Sequence, residues 1–395
     1  MTLVLERVWM TDFRSYITAE FGLAPGLSVV TGPNGAGKSN LLEALHYLAT
    51  LGSFRGVPID TLVRDGSQQA VVRAEGRRDG RGLLVEAEIN RVGRNRYLAN
   101  KQPIRRVRDL VDVVQASVFS PDDLVLVKGG PGERRTYLDD TAGRLHIRNQ
   151  ALLDDTDKVL RQRAALLKQA GGRMSSDIEL TLDVWDAKLA DLGTRLGAVR
   201  TQVLGKLTPA IRDCYRAVAD VAATVDAELV APWMHQGDGL AGALGEARTD
   251  DVRRGVSTVG PHRDDILLLI DGRPSRTHSS QGEQRTLALA LRLAAHRLIA
   301  ETRGEAPLLL LDDLFSELDP RRSAAVLRTL PVGQAVLATA GAVPASATVE
   351  ARLEVAPADG SRGSRVRTVL PSVGSATAGD EPVERVENIA SDSTT

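Results

Sequence analysis

The chain has 395 residues, enough for two or more domains, because single hydrophobic cores stop growing near roughly 250–300 residues. Hydrophobic residues make up 43% and charged residues 26%, and the formal net charge of −1 excludes any global attraction to nucleic acid, so a DNA contact must come from local patches. A single cysteine, Cys214, excludes an internal disulfide framework.

Glu6 and Arg7 interrupt an N-terminal apolar run too short for a secretory signal, and no stretch approaches the ~20 apolar residues of a membrane span. A cytoplasmic location without membrane attachment is expected.

Residues 2–9 alternate as a strand, and a second strand follows Phe13-Arg14-Ser15-Tyr16 and ends near Phe21. The apolar run Leu27 to Thr31 then feeds Gly32-Pro33-Asn34-Gly35-Ala36-Gly37, and Lys38-Ser39 open a helix with Leu41, Leu42, Leu45 and Leu48 on one side. Strand, glycine-rich turn and helix meet the pattern G-x-x-x-x-G-K-[ST] in its expected setting. Small residues let successive N–H groups curl around an anionic phosphate, and the helix adds its positive end. Gly32, Pro33, Asn34, Gly35, Ala36, Gly37, Lys38, Ser39 and Asn40 are therefore expected to bind a nucleotide, with Lys38 reaching the β- and γ-phosphates and Ser39 ligating Mg²⁺.

From Gln69 to Ile104, short runs at 70–74, 83–89 and 96–99 are separated by glycine turns and read as an antiparallel β-subdomain. Ten Arg/Lys face three Asp/Glu between Arg77 and Arg108, a stripe that either tracks a DNA backbone or is the solvated face of a sheet. In Ser117 to Asp139 a strand ends at Pro121, Asp122-Asp123 start a turn or helix, and Lys128 to Arg135 form a basic, glycine-rich loop.

Leu, Ala and Val then recur at helical spacing from Tyr137 to about Val221, with Gly171-Gly172 between two runs. Two antiparallel helices of roughly 30 residues would make a projecting arm of about 45 Å; the alternative is a helical subdomain packed on the core. Residues 222–229 suit a strand, Asp238 to Val252 suit helix and loop, and Gly255 to Asp265 form a turn before the apolar strand Ile266 to Ile270.

Ser279-Ser280-Gln281-Gly282-Glu283-Gln284-Arg285 precede a helix over Thr286 to Thr302, a second anion-seeking helix start. It is either a simple N-cap or a contact for the γ-phosphate of a nucleotide on another protomer. Pro307 to Asp313, PLLLLDD, is a buried strand with carboxylates at its C-terminal end. Asp312 suits Mg²⁺ binding and Asp313 suits orienting or deprotonating the attacking water. A further strand runs from Gln334 to Ala338, and the polar tail after Pro371 is expected to be disordered.

P-loop, S-x-G-x helix start, LLLLDD and Ser316-Glu317-Leu318-Asp319 occur in the order of the Walker A, signature, Walker B and D-loop of ABC-type ATPase heads. Within that class the chain resembles the RecF family through DFRSY (12–16), GPNGAGKSNLLEAL, FSPDDLVLVKGGPGERRTYLD, VGPHRDD (259–265), SQGEQRTLALALRLA and LLLLDDLFSELD, from Leu3 to about Ala340.

The resemblance implies an α/β fold: an ABC-type head with a mixed sheet and an antiparallel β-subdomain, plus a short helical arm. Residues 1–139 and 251–370 would be the two parts of the head, 140–250 the arm and 371–395 a tail. It implies a homodimer that closes on ATP and Mg²⁺ between one P-loop and the other protomer's signature loop, with Ser280 and Gly282 binding the γ-phosphate in trans and Asp319 aligning the interface. It further implies a weak, DNA-stimulated ATPase that binds single-stranded or gapped DNA and acts with RecO and RecR to load RecA in repair, replication restart and SOS induction.

The sequence departs from the ABC pattern in three places. Gln115 stands near the interlobe glutamine but out of register with SPDDL, Asp313 replaces the usual glutamate, and Thr339 stands where a switch histidine is expected. A transporter ATPase would have that histidine. An SMC- or Rad50-type head would have a longer insert, and a nuclease would carry an added acidic metal-binding domain.

Overall fold

The computed structural model describes residues 3–104, 107–219, 223–317, 320–329, 333–358 and 363–369. Strands β1 (Leu3–Phe13), β2 (Tyr16–Gly22) and β3 (Leu27–Thr31) lead into α1 (Lys38–Thr50). Then come β4 (Gln69–Arg78), β5 (Arg81–Asn90), β6 (Arg96–Ala99), β7 (Gln102–Pro103), β8 (Ala116–Phe119) and the short α2 (Val125–Lys128). The helical stretch comprises α3 (Pro131–Leu145), α4 (Ile147–Ala170) and α5 (Ser176–Ala219), followed by β9 (Val225–Val230) and α6 (Gly239–Arg254). The last part holds β10 (Asp265–Ile270), β11 (Arg273–Pro274), α7 (Ser275–His278), α8 (Gln281–Arg303), β12 (Leu308–Asp312), α9 (Pro320–Thr329), β13 (Ala335–Thr339), β14 (Val349–Pro357) and β15 (Ser364–Val369).

The central sheet has the order β15-β14-β3-β13-β12-β8, parallel except for β15. Its inner strands are covered on both faces, which is why Leu308 to Leu311 read as an unbroken apolar run. Leu308 and Leu310 pack with Val336, Ala338 and Val355 toward α1 and the antiparallel sheet β2-β1-β4-β5-β6-β7. Leu309 and Leu311 face the other way, into a core built from α3, α5 and α8. Buried Gln334 stitches the two sheets: its Oε1 accepts from Leu5 N at 2.9 Å, and its Nε2 donates to the carbonyls of Leu5 and Ala24 at 2.6 and 2.8 Å.

The two long helices are unequal, 24 and 44 residues, because the apolar periodicity of α5 continues past the expected arm into the head. Its last third, through Leu207, Ile211, Cys214 and Tyr215, packs with Leu287, Leu291 and Leu298 of α8. Its first part lies with α4 and α6. There fully buried Arg163 donates to Asp186 and Asp251 at 2.7 Å, and its Nη1 also donates to Ser257 at 2.5 Å. Arg200 likewise joins Asp139 of α3 to Asp264, which accepts from Trp233 Nε1 at 2.8 Å, while Asp265 accepts two bonds from Arg134. Thus the VGPHRDD stretch is a polar clamp among α3, α5 and β10.

Lys128 to Arg135 is not one loop. Pro131 starts α3, as a residue lacking an N–H readily does, and only Gly129 and Gly130 separate the helix from α2. In the basic stripe, Arg77 pairs with Glu6, Arg78 with Glu305 and Arg96 with Glu88, and Arg91 donates to the carbonyls of Val63, Arg64 and Ser67. Arg105 and Arg106 and the tail after Pro371 lie outside the described residues, and nothing is described of the Arg108 side chain. Among the described residues no helix is long and apolar enough to cross a membrane.

His296 of α8 is 1% exposed, and burial together with the charges of Arg144 and Arg297 holds its imidazole down at about 3. A folded-state value below the unfolded 6.5 means that this contribution is complete above pH 6.5 and is lost as the pH falls toward 3. At pH 5 the cost is about 2 kcal/mol. We expect His296→Leu to make Tm less dependent on pH between 7 and 5; scanning calorimetry giving parallel curves for the two proteins would contradict this.

Candidate nucleotide site

β3 and β12 flank β13 in parallel, so Thr31, Asp312 and Thr339 end on one edge of the central sheet. The chain after β3 passes through Gly32 at φ 154° and closes at Gly37 at φ 108°, the N-cap of α1. A β-carbon on Gly32 would lie 2.1 Å from the Val355 carbonyl oxygen, and one on Gly37 would lie 2.5 Å from Ser364 Oγ and 2.9 Å from Ser15 Oγ. Glycine is required there because β14, β15 and the DFRSY turn press against the loop. That turn also fixes α1: Ser15 Oγ receives a bond from Asn40 Nδ2 at 2.8 Å, and the Tyr16 hydroxyl donates to the Gly37 carbonyl at 3.1 Å.

The loop borders a cleft of about 270 Å³ lined by Asn34, Gly35, Gly37, Lys38, Ser39, Asn40, Arg55, Asp312 and Asp313. Lys38 is 8% exposed, and its ammonium donates to the carbonyls of Gly32 and Pro33 at 2.9 and 3.0 Å. Burial lowers its proton affinity, with Asp313 and Asp312 opposing. Ser39 Oγ donates to Asp312 Oδ1 at 2.7 Å, joining residues 273 positions apart. Burial raises the Asp312 carboxyl, while Ser39 and the charges of Arg55 and Lys38 draw it back. Asp313 sits at φ 47°, a strained left-handed turn that swings the chain off β12 at the cleft. Gly32, Pro33 and Ala36 form the back of the loop, with Ala36 2% exposed.

Arg55 has no P-loop signature and was not visible in the sequence as a cleft residue. It follows Gly52-Ser53-Phe54, donates to Asn40 Oδ1 at 3.2 Å, and lies 4.0 Å from the fully buried Glu43 carboxylate. Glu43 is itself held by two bonds from Arg14, at 2.8 Å each, and one from Ser53. Only the glycine break at 52–56 hinted at this loop.

Ser280 and Gly282 lie at the start of α8, outside this cleft. Ser280 is an exposed N-cap whose Oγ accepts from Glu283 N at 3.3 Å while its own N–H donates to Glu283 at 2.7 Å. Helix α8 begins at Gln281, earlier than the expected Thr286, because this capping box closes it there. Gln115 is excluded as the interlobe glutamine: it precedes β8, and its carbonyl accepts from Leu308 N at the opposite end of the sheet from Asp312. At the cleft end, β8 is followed by Ser120 to Asp123, with Asp123 bonded to Arg292 of α8 at 2.8 Å. Asp319 lies outside the described residues.

A parallel sheet, a P-loop, a paired hydroxyl and carboxylate across two strand ends, and an antiparallel subdomain beside them define an ABC-type ATPase head. The chain belongs to the RecF/RecN/SMC N-terminal domain family, whose model matches residues 4–335, and within it to the RecF proteins. It is 42% identical over 344 residues, 84% of this chain and 91% of the relative, to the DNA replication and repair protein RecF of Streptomyces avermitilis. The solved structure of the recombination mediator protein RecF-ATP in the RecFOR pathway superposes with a TM-score of 0.84 at 28% identity, covering 93% of this chain and 98% of that one. The Smc head of Pyrococcus furiosus bound to the C-terminal domain of ScpA, 16% identical with a TM-score of 0.56 over 93% of this chain and 96% of that one, shares the fold.

Proposed function

We propose that this chain is an ATP-switched recombination mediator of the RecFOR pathway. It grips DNA at single-strand gaps as a dimer and acts with RecO and RecR to load RecA during repair, replication restart and SOS induction. The observation that carries the reading is the division of the site: the cleft holds one complete phosphate cradle, while the exposed start of α8, with Ser280 and Gly282, stands outside it.

The hydroxyl and carboxylate oxygens of Ser39 and Asp312, already 2.7 Å apart, are the hard donors that Mg²⁺ takes. Bound there beside ATP, the ion supplies charge neutralisation at the transferring phosphoryl group. Lys38 turns from the Gly32 and Pro33 carbonyls to the β- and γ-phosphates, and the loop N–H groups of Gly32 to Asn40 cradle the rest. Asp313 orients and deprotonates water; its side chain is one methylene shorter than the usual glutamate, which suits slow hydrolysis used as a timer. Ser280 and Gly282 meet the γ-phosphate of the partner, and Asp319 aligns the two heads. In this reading the protein works in the cytoplasm.

Retention of a gapped duplex is expected to rise at least tenfold with ATP over ADP in a filter-binding titration at fixed salt. Equal retention with the two nucleotides would remove the switch from this reading.

A further inference from the structure

The P-loop helix opens without a side-chain cap, because its N-cap is Gly37. A capping box would turn the third helical residue back to the N-cap N–H; Asn40 faces outward instead. Its Nδ2 donates to Ser15 Oγ at 2.8 Å, and its Oδ1 accepts from Arg55 Nη1 at 3.2 Å. A guanidinium donates and never accepts, so the Asn40 amide serves Arg55 in one of its two orientations alone.

That orientation depends on what Ser15 offers. Ser15 lies in the turn between β1 and β2, where a hydroxyl has three staggered positions open to it. Ser364, the first residue of β15 and 5% exposed, removes the choice. Its N–H donates to the Ser15 carbonyl at 2.9 Å and its Oγ donates to Ser15 Oγ at 2.7 Å, across 349 positions of sequence. A continuous chain of polar contacts therefore runs from Ser364 through Ser15 and Asn40 to Arg55, that is, from the edge strand of the central sheet to the cleft wall. Glu43, already holding Arg14 and Ser53, stands 4.0 Å from Arg55 and attracts it without fixing its direction. The directed bond is the one to Asn40.

We propose that Ser364 is a positioning residue for nucleotide binding: by fixing Ser15, and through it the Asn40 amide, β15 aims Arg55 at the bound triphosphate. The proposal rests on the reading of the cleft as the ATP site. Ser364 carries no P-loop signature and lies beyond residues 4–335, the stretch that the family model matches. A purely packing role would have it do no more than fill the space over Gly37, where its Oγ lies 2.5 Å from the place a β-carbon would take.

The test is a double-mutant cycle on the whole chain, with the affinity for ATP and Mg²⁺ read by isothermal titration. Ser364→Ala keeps the main-chain bond to Ser15 and loses the hydroxyl; it is expected to weaken binding about fivefold, the size of one neutral hydrogen bond. Arg55→Ala is expected to weaken it about thirtyfold, the size of a charged one. Adding Ser364→Ala to Arg55→Ala is then expected to cost nothing further, because the relay ends on no guanidinium. Losses that add in the double variant would assign Ser364 to packing over Gly37 and overturn the proposal. An unchanged affinity in either single variant, or a Ser364→Ala chain that does not fold, would overturn it equally. Lys38→Met, titrated alongside, separates the two readings: no loss there strikes the cleft as the nucleotide site, whereas a loss there without coupling between residues 364 and 55 strikes this proposal alone.

Discussion

Lys38→Met is expected to weaken ATP binding by roughly 100-fold, because it removes the Lys38 ammonium from the cleft wall and with it a charge-assisted contact of about 3 kcal/mol. The variant should keep its fold, since among the described residues the Lys38 ammonium bonds only the two carbonyls of its own loop. Isothermal titration with ATP reads the loss, and sedimentation should find a monomer at nucleotide concentrations that dimerise the parent. An unchanged Kd would show that the cleft is not the nucleotide site.

Ser280→Arg is expected to behave in the opposite way: ATP binds with nearly the parent affinity, and the dimer is lost. The side chain is exposed and not part of the cleft lining, so an added guanidinium should leave the cradle alone while blocking a facing surface. Mixing the two variants then gives a distinctive result. The P-loop of Ser280→Arg and the helix start of Lys38→Met form one intact composite site, so the mixture should dimerise with ATP though neither variant does alone. Failure of the mixture, or dimerisation of Ser280→Arg by itself, would count against a nucleotide held between two copies.

Local signals made the P-loop half of the site readable in the sequence. Glycines at 32 and 37 and the hydroxyl at 39 have roles set by backbone geometry, and the apolar run before Asp312 needed a sheet covered on both faces. What brings Ser39 to Asp312 is strand order, β3-β13-β12, which no spacing encodes. Arg55 escaped notice because its position depends on Glu43 and Arg14, three residues joined only by folding. No sequence signal marks strands β14 and β15: their alternation of Val, Leu and charge is one-sided and sits in an arginine-rich stretch that reads as surface. The division between α4 and α5 was marked by Gly171-Gly172, but not how far α5 runs inward, since helical periodicity does not say what covers each turn.

Were α8 to tilt as two heads close, helix α5 would work as an oar. Its 44 residues extend about 66 Å at 1.5 Å per residue, and its inboard end is gripped by the same α8 whose tip carries Ser280. A pivot of only ~5° at that grip, with about 45 Å of helix beyond it, sweeps the blade near Ser176 through ~4 Å. Whatever rests on the blade would feel a stroke with any such tilt of α8, and the ion pairs of Arg163 would keep the loom from flexing and wasting it.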